Sequence, residues 1–330
     1  MAALPRISII TPSYNQAEYI EQTIDSVLSQ GYSNLEYLVI DGGSTDGSVD
    51  IIRKYEKHLD YWTSEKDDGQ SHAINKGLSR ISGDVVNWLN SDDFYEPGAL
   101  KTIANYFSDP VVNVVCARGN IVMNDQRLKI SSGTDVYPGH LAKTIGWARI
   151  DQPETFFRKR VYDSLGLINT HYHFIMDKEF WIRYLMQFGL NEIRKVNDVV
   201  VNFRFHDQSK TRSQRLKFDQ ETLQLFTKLA SGFELQNEFD ALSRIEGLNE
   251  ESDKLSHFPH APVELVQESV HYFMLRKADE FYYQGNFAGA KRMLSFIDAK
   301  FLKSGDKKLL RKISFRSKYV PRFLIKLFRK

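Results

Sequence analysis

Two acidic stretches in this 330-residue chain are placed to do chemistry. The first is Asn90-Ser91-Asp92-Asp93, which follows an apolar run at 85–89 without a break. A short apolar run bounded by a polar turn reads as a buried strand of a parallel sheet. Carboxylates at such a strand end point into the crevice where open α/β sheets bind ligands. Side chains of neighbouring residues diverge, so the two acids do different jobs. Asp92 is the candidate ligand of a hard divalent cation, and oxygen ligands beside phosphate favour Mg2+ or Mn2+. Asp93 either joins Asp92 at the metal, supports the site or caps the next helix, which Pro97 opens. The second stretch is Phe174 to Arg183, where Met176, Phe180, Trp181 and Tyr184 form one helical face. Asp177 stands near the start of that helix, where the helix dipole favours a carboxylate. His206 ends a strand at 200–206 and is either structural or a ligand. Lys210 and Arg212, just beyond, would neutralise phosphate or lie in solvent.

These residues need a scaffold, and the first hundred positions supply one. A β-rich run at 7–10 leads into Thr11-Pro12-Ser13-Tyr14-Asn15, a loop because Pro12 and Asn15 break regular structure. Ile20, Ile24, Val27 and Leu28 fall on one helical face, closed by Gly31. A strand at 35–40 runs into the small-residue turn Asp41 to Ser48, and a short strand at 61–63 precedes a polar loop at 65–70. Helices beginning at Val49 and near Ala73 fill the gaps. Strands alternating with helices in this way give βαβ units and a mostly parallel sheet. Parallel strands bring the loops 11–15, 41–48 and 90–93 to one sheet edge, the outline of a nucleotide pocket. There Tyr14 would stack on a base, Asp41 would accept from a base N–H, and Gly42 and Gly43 would let backbone approach the ligand. The alternatives are a packed surface ring for Tyr14 and turn-forming roles for Asp41 and Asp46.

The blocks Ser8 to Asn15, Asp41 to Ser48, Asp67 to Gly77 and Asn90 to Asp93, in that order, resemble glycosyltransferase family 2 of the bacterial type. The resemblance implies a GT-A fold: a Rossmann-like, mostly parallel mixed sheet flanked by helices, here with a C-terminal helical appendage. It implies transfer of a sugar from a nucleotide diphosphate with inversion, UDP being the commonest donor type. Thr11, Pro12, Tyr14, Asn15, Asp41, Gly42, Gly43 and Ser44 would then line the nucleotide. Asp68, Gly69 and Lys76 would lie by the ribose or diphosphate, and Ser91 and Asp92 would form the metal motif, with Asn90 where many relatives carry Asp. Asp177, before an aromatic-Trp-x-Arg run, takes the place of the general base; Met176 stands where relatives often have Glu, and Glu179 is the weaker second candidate. Gln152, in Gln152-Pro153-Glu154, would border sugar and acceptor. His206 and Arg204 would lie beside the diphosphate or metal.

Past Phe107 the pattern loosens. Strands are expected at 111–117 and 119–123, the second in a hairpin, and the segment 133–146 has no clear period. The organisation expected is a catalytic domain over 1–212, with a nucleotide-sugar half (1–100) and an acceptor half (101–212), then a helical region over 213–330. The tetratricopeptide-like pair around Tyr282, Gly285, Ala290 and Leu294 is packing rather than a repeat array.

Net charge is +2, from 44 basic and 42 acidic residues, which points away from a nucleic-acid partner. The distribution is uneven: 307–330 holds ten Lys or Arg and no acid, leaving 34 bases against 42 acids before it. Interleaved with Phe323, Leu324, Leu327 and Phe328, these cations suit either an anionic membrane surface or a solvated helix. The lone Cys116 lies in an apolar run, fitting a buried inert thiol and a reducing compartment. No run reaches membrane-spanning length, and the first six residues lack the apolar core of a secretory signal. The expected location is cytoplasmic, with peripheral contact at the inner face of the membrane. The partners expected are a nucleotide-diphosphate sugar and a saccharide or lipid-linked acceptor. Two rival enzymes fall on motif: neither the Gly-x-Gly-x-x-Gly turn of a dinucleotide oxidoreductase nor the basic Gly-rich loop of a pyrophosphorylase follows the first strand. A non-catalytic sugar-nucleotide or carbohydrate-binding protein on the same scaffold is the remaining alternative.

Overall fold

The computed structural model describes residues 4–123, 126–206, 209–245 and 258–319. It divides into two compact units: 1–136 with 149–184 and 188–218, and 137–148 with 185–187 and 219–330. The segment without a clear sequence period thus passes into the second unit at 137 and forms a helix there over Leu141–Trp147.

The first unit is built on one sheet. Strands β1 (Ile7–Ser13), β2 (Leu35–Asp41), β3 (Tyr61–Ser64) and β4 (Val85–Trp88) lie in the order β3-β2-β1-β4, all parallel. Helices α1 (Ile20–Leu28), α2 (Ser48–Lys54) and α3 (Gln70–Leu78) connect them. Near-continuous apolar runs make these strands because both faces are covered; Ile7, Ile9, Ile10, Val39, Ile40, Val85 and Val86 are fully buried. At Gly77 a Cβ would stand 2.6 Å from Ile10 Cγ2, so only glycine lets α3 lie this close to β1.

Beyond β4 the sheet changes character. After β5 (Phe94–Tyr95) and α4 (Ala99–Tyr106) come β6 (Val114–Met123) and β7 (Gln126–Ile130), then β8 (Thr155–Arg158) and β9 (Ile193–Arg204). The order continues β4-β8-β6-β9-β5, with β7 against β6. β8 is antiparallel to both β4 and β6, β5 is antiparallel to β9, and only β6 and β9 run parallel. The sheet is therefore mixed, parallel through β4 and largely antiparallel after it. The two strands expected at 111–117 and 119–123 are one strand, bent by register shifts between Cys116 and Gly119. Pro97 does not itself begin a helix: β5 intervenes and α4 starts at Ala99, after Gly98 in a left-handed conformation. The strand expected at 200–206 begins earlier and stops at Arg204.

Two helices follow β8 in this unit, α6 (Lys159–Leu165) and α7 (Met176–Phe188), with residues 185–187 of α7 assigned to the other unit. Phe157 of β8 sits edge-on to Phe180, Trp181 and Tyr184 of α7, and Trp181 stacks on Tyr184 at 5.3 Å. All four positions of the predicted α7 face are buried. Arg183 is buried too, bonded to the carbonyls of Leu165 and Leu167 and paired with Glu179 at 3.0 Å. This anchoring holds the N-terminal turn of α7, which carries Asp177, in a fixed place. Cys116 is fully buried and burial pushes its thiol up to about 12, as expected of an inert core cysteine.

The second unit is helical: α5 (Leu141–Trp147), α9 (Arg215–Gly232), α10 (Gln236–Ser243), α11 (Val263–Gln284), α12 (Phe287–Ser295) and α13 (Ser304–Tyr319). Between β9 and α9 lies α8 (Lys210–Ser213), and the first turns of α9 belong to the first unit. α11 is the spine, packing against α5 and α12 around Tyr272, Leu275, Tyr282, Ala290, Leu302 and Ile313. No helix among the described residues is long and apolar enough to cross a membrane.

Candidate active site

The three strand-end loops meet at the carboxyl edge of the parallel half, and most of their polar side chains bind one another. Asp41 is fully buried and its carboxylate accepts from the Gly43 and Ser44 amides at 3.0 and 2.9 Å and from Ser44 and Ser64 hydroxyls at 2.5 and 2.7 Å. Its first task is to fold its own loop. Asn15, with φ at 50°, accepts from the Thr45 amide at 2.9 Å and donates its own amide to Ser44 Oγ at 2.7 Å, tying loop 11–15 to loop 41–48. Asp46 accepts from the Ala17 and Ser48 amides, and these donors hold its carboxyl below the usual range despite its partial burial. Thr11 and Pro12 are buried, Thr11 Oγ1 lying 3.0 Å from the Tyr37 hydroxyl, whereas the Tyr14 ring is 62% exposed and open to a ligand.

Asp67 and Asp68 divide differently from the expectation. A Cβ at Gly42 would stand 2.9 Å from Asp67 Oδ2, so Asp67 lies directly against the Asp41 loop, and its Oδ1 accepts from the Gly69 amide at 2.8 Å. The Asp68 side chain is 92% exposed and faces His72. The acid packed on the Asp41 loop is Asp67, and Asp68 is the exposed one. The sequence alone does not say which of the two packs on the loop. Lys76 pairs with Glu65 at 3.0 Å. Gln152 is buried, donating to Asn87 Oδ1 at 2.7 Å and to the Trp88 carbonyl at 2.8 Å, so it locks β4 to the turn before β8 from behind.

Asp92 and Asp93 separate in the way divergent neighbours must. Asp93 is fully buried, its Oδ1 accepting from the Arg204 amide at 2.9 Å and its Oδ2 facing Asn90 Nδ2 at 3.3 Å. Burial first, and the adjacent Asp92 charge second, raise its carboxyl well above the usual range. Asp93 therefore supports the loop rather than offering a ligand to a metal. Asp92 keeps a partly exposed carboxylate, with Oδ2 at 3.0 Å from His206 Nε2. Arg204 fastens the arrangement: it donates to the Asp92 carbonyl at 2.7 Å, bonds Gln22, and lies over the rings of Tyr19 and Phe94. Thr23 Oγ1 reaches the carbonyls of Ser91 and Asp93 at 2.9 and 2.7 Å. Nothing in the sequence announces this clamp, because it joins Gln22 and Thr23 of α1 to Arg204 at the end of β9, far away in the chain.

The pair Asp92–His206 suits a divalent cation. Adjacent ligands of an octahedral ion at about 2.1 Å stand about 3.0 Å apart, the separation observed. Both side chains are partly open to solvent, and no group of three or more His, Cys, Asp or Glu gathers among the described residues. An ion there would keep positions for phosphate oxygens and water, as Mg2+ and Mn2+ commonly do.

Asp177 occupies the second position of α7, and burial pushes its carboxyl up to about 6, against the pull of the Lys178 amide and ammonium. Its approach is pinned to the nucleotide loops. Ser71 Oγ bonds the Tyr172 carbonyl at 3.1 Å, the space beside Gly69 is bounded by His173, and Gln70 Nε2 bonds Asn90 Oδ1 at 2.8 Å. Lys210 donates to Gln70 Oε1 at 3.0 Å, extending the chain to the segment after β9. The side chain of Arg212 lies outside the described residues. Two further acids carry shifted carboxyls, Asp151, within electrostatic reach of Asp177, and Glu154, within reach of Asp151. Burial pushes Glu154 up to about 8, with the Asp151 charge adding to it, and Asp151 in turn raises Asp177. Glu179 is ruled out as base by its buried pairing with Arg183.

Residues 8–184, more than half the chain, match the glycosyl transferase family 2 profile. The chain is 42% identical over 102 residues to TuaG of Bacillus subtilis, a glycosyltransferase named for teichuronic acid biosynthesis, covering 29% of this chain and 40% of that one. Among solved structures, S. aureus TarS residues 1–349 in complex with UDP superposes with a TM-score of 0.59 at 16% identity, over 98% of this chain and 91% of that one. The mannosyltransferase PcManGT of Pyrobaculum calidifontis, in complex with GDP-Man and Mn2+, superposes with a TM-score of 0.56 at 19% identity, over 99% and 85%. The fold is that of the GT-A transferases, and the chain belongs to glycosyl transferase family 2: it is a glycosyltransferase.

Proposed function

We propose that the protein transfers a sugar from a nucleotide diphosphate, UDP as the expected carrier, to a hydroxyl of a saccharide or lipid-linked acceptor with inversion. The observation that carries this reading is the pairing of a partly exposed Asp92–His206 couple with a basic-poised Asp177 whose approach is tied to the same loops. The family supplies the reaction class, and the similar proteins supply the kind of donor: UDP in one, GDP-Man with Mn2+ in another. The name of the TuaG relative favours a cell-envelope polysaccharide as acceptor.

In this reading the exposed Tyr14 ring stacks on the base, while Thr11, Pro12, Asn15, Asp41 and Ser44 shape the loop beneath it. Gly42, Gly43 and Gly69 let backbone approach, and Asp67 takes the place expected of Asp68. Ser91 sets the turn. Asp92 and His206 would hold a divalent cation, whose chemistry when bound is to neutralise charge developing on the leaving diphosphate. Asp177 accepts the proton of the acceptor hydroxyl as its oxygen bonds to the anomeric carbon. The bond from that carbon to the phosphate oxygen breaks with its electron pair, so attack from the opposite face inverts the centre. A carboxylate held at about 6 is ionised at neutral pH yet more basic than an ordinary one. The protein would work in the cytoplasm, in peripheral contact with the inner face of the membrane through its basic 307–330 segment.

A panel of nucleotide sugars with Mg2+ or Mn2+, reading released nucleoside diphosphate, tests the reading. One UDP-sugar should stand out and should depend on metal. Equal, metal-independent release across the panel would overturn it, as would a product of retained configuration.

A further inference from the structure

We propose that the outer face of α13 (Ser304–Tyr319) is a docking surface for an anionic lipid membrane. This gives the membrane contact above a definite place, and it rests on that contact but not on the transfer chemistry. The helix has two unlike sides. On the inner side Ile313 is buried, with Leu309 and Leu310 packed against the cluster of Tyr272, Leu275 and Tyr282. The helix's single acid, Asp306, also turns inward, pairing with Lys143 at 2.6 Å and accepting from the Tyr272 hydroxyl at 3.0 Å. The exposed positions after the first turn are Lys308, Arg311, Lys312, Phe315, Lys318 and Tyr319. Their spacing places them on one stripe of the helix.

That stripe has four cations, no acid and two aromatic rings. Phe315 is 60% and Tyr319 62% exposed, with ring centroids 5.3 Å apart, and Lys318 lies over Tyr319. Lys312 is also within electrostatic reach of Asp279 on α11, which lies on the same unit. A solvated helix has no use for two large rings in water beside a row of cations. An interfacial helix uses both: cations meet lipid phosphates, and rings sit at the headgroup boundary. The buried inner face fixes the stripe's orientation before any membrane arrives, so no folding cost attends binding. The chemistry recognised is the phosphate of an anionic headgroup beside an apolar boundary. A soluble polyanion would satisfy the cations but leave the rings exposed.

The test is co-sedimentation of the full chain with vesicles of phosphatidylcholine alone, or of equal parts phosphatidylcholine and phosphatidylglycerol. The wild type should bind the second and not the first, and added salt should weaken binding. Lys308→Gln/Arg311→Gln/Lys312→Gln should lower vesicle affinity on the order of 100-fold, at roughly fivefold per charge. Phe315→Ser/Tyr319→Ser should weaken it roughly tenfold with the salt dependence kept. All six positions are exposed, so thermal unfolding should match the wild type in both variants. Wild-type sedimentation by the triple-Gln variant would overturn the assignment and move the contact to another segment. So would equal binding to both vesicles, or binding to soluble poly-glutamate without binding to vesicles. Donor turnover plays no part in the readout, so failure here leaves the transfer reading untouched, and the converse holds.

Discussion

The nucleotide half and the acceptor half treat their carboxylates in opposite ways. Around the parallel strands, acids are surrounded by donors. Glu36 accepts from Ser8, Ser82 and the Gly83 amide, Asp46 from Ala17 and Ser48, and both carboxyls are held below the usual range. Around the antiparallel strands, acids are buried with fewer donors, and Asp151, Glu154 and Asp177 are all raised. The difference follows from the strands. At the carboxyl edge the βα turn 41–48 presents backbone N–H groups that Asp41 and Asp46 organise, while Glu36 gathers Ser8 and the 82–83 turn at the opposite, N-terminal edge and braces the sheet there. The 152–154 turn and the α7 start press acids against apolar walls instead, so protons are held more tightly there. On the proposed function, the first half would bind the donor and the second would take the proton. Asp93 is the exception in the first half, raised because it is sealed under Arg204 next to Asp92.

The division predicts its own largest failure. Asp177→Asn should lower kcat on the order of 10³-fold, the size expected for losing a general base, with nucleotide affinity unchanged by calorimetry. If affinity fell instead and turnover of bound donor survived, proton acceptance would not belong to the acceptor half. In the wild type, kcat should rise with pH through about 6 as Asp177 ionises and fall tenfold per unit below it. Asp92→Ala and His206→Ala address the other half. Each should cut Mn2+-dependent nucleotide affinity by about 10- to 100-fold and leave affinity without metal unchanged.

Stability separates the halves as well. Glu154 binds its proton up to about pH 8 in the folded protein, whereas an unfolded glutamate releases it near 4.5. Between those values the native state holds more protons than the unfolded one, so stability falls as pH rises, by up to about 1.4 kcal/mol per unit. Glu154→Gln should remove this slope and raise the melting temperature at pH 8 relative to wild type, while leaving it nearly unchanged at pH 4. A slope that survives the substitution would assign the proton to Asp151.

The parallel half was legible because its signals are local: apolar runs fix β1, β2 and β4, and small polar turns mark their ends. The buried α7 face was readable for the same reason. What could not be read is what distant segments do to one another. The antiparallel insertion of β8 between β4 and β6 is set by packing, not by any pattern in Thr155–Arg158. Gln152, expected beside sugar and acceptor, is turned inward by a strand pairing that brings Asn87 and Trp88 onto it. The Arg204 clamp and the Glu154 acid depend on burial, which a single chain of letters does not record.

The smallest predicted effect asks which of two adjacent acids belongs to the binding half. Asp67 abuts Gly42 and bonds the Gly69 amide, so Asp67→Ala frees the loop that opens α3 and should weaken nucleotide binding about tenfold. Asp68 points into solvent with only a surface contact to His72, and such pairs contribute between nothing and about 1 kcal/mol. Asp68→Ala should therefore leave nucleotide affinity within about twofold of wild type. Reversal of the two results would mean that loop 65–70 turns over when the nucleotide arrives. The donor-rich surface of the parallel half would then be shaped by the ligand rather than ready for it.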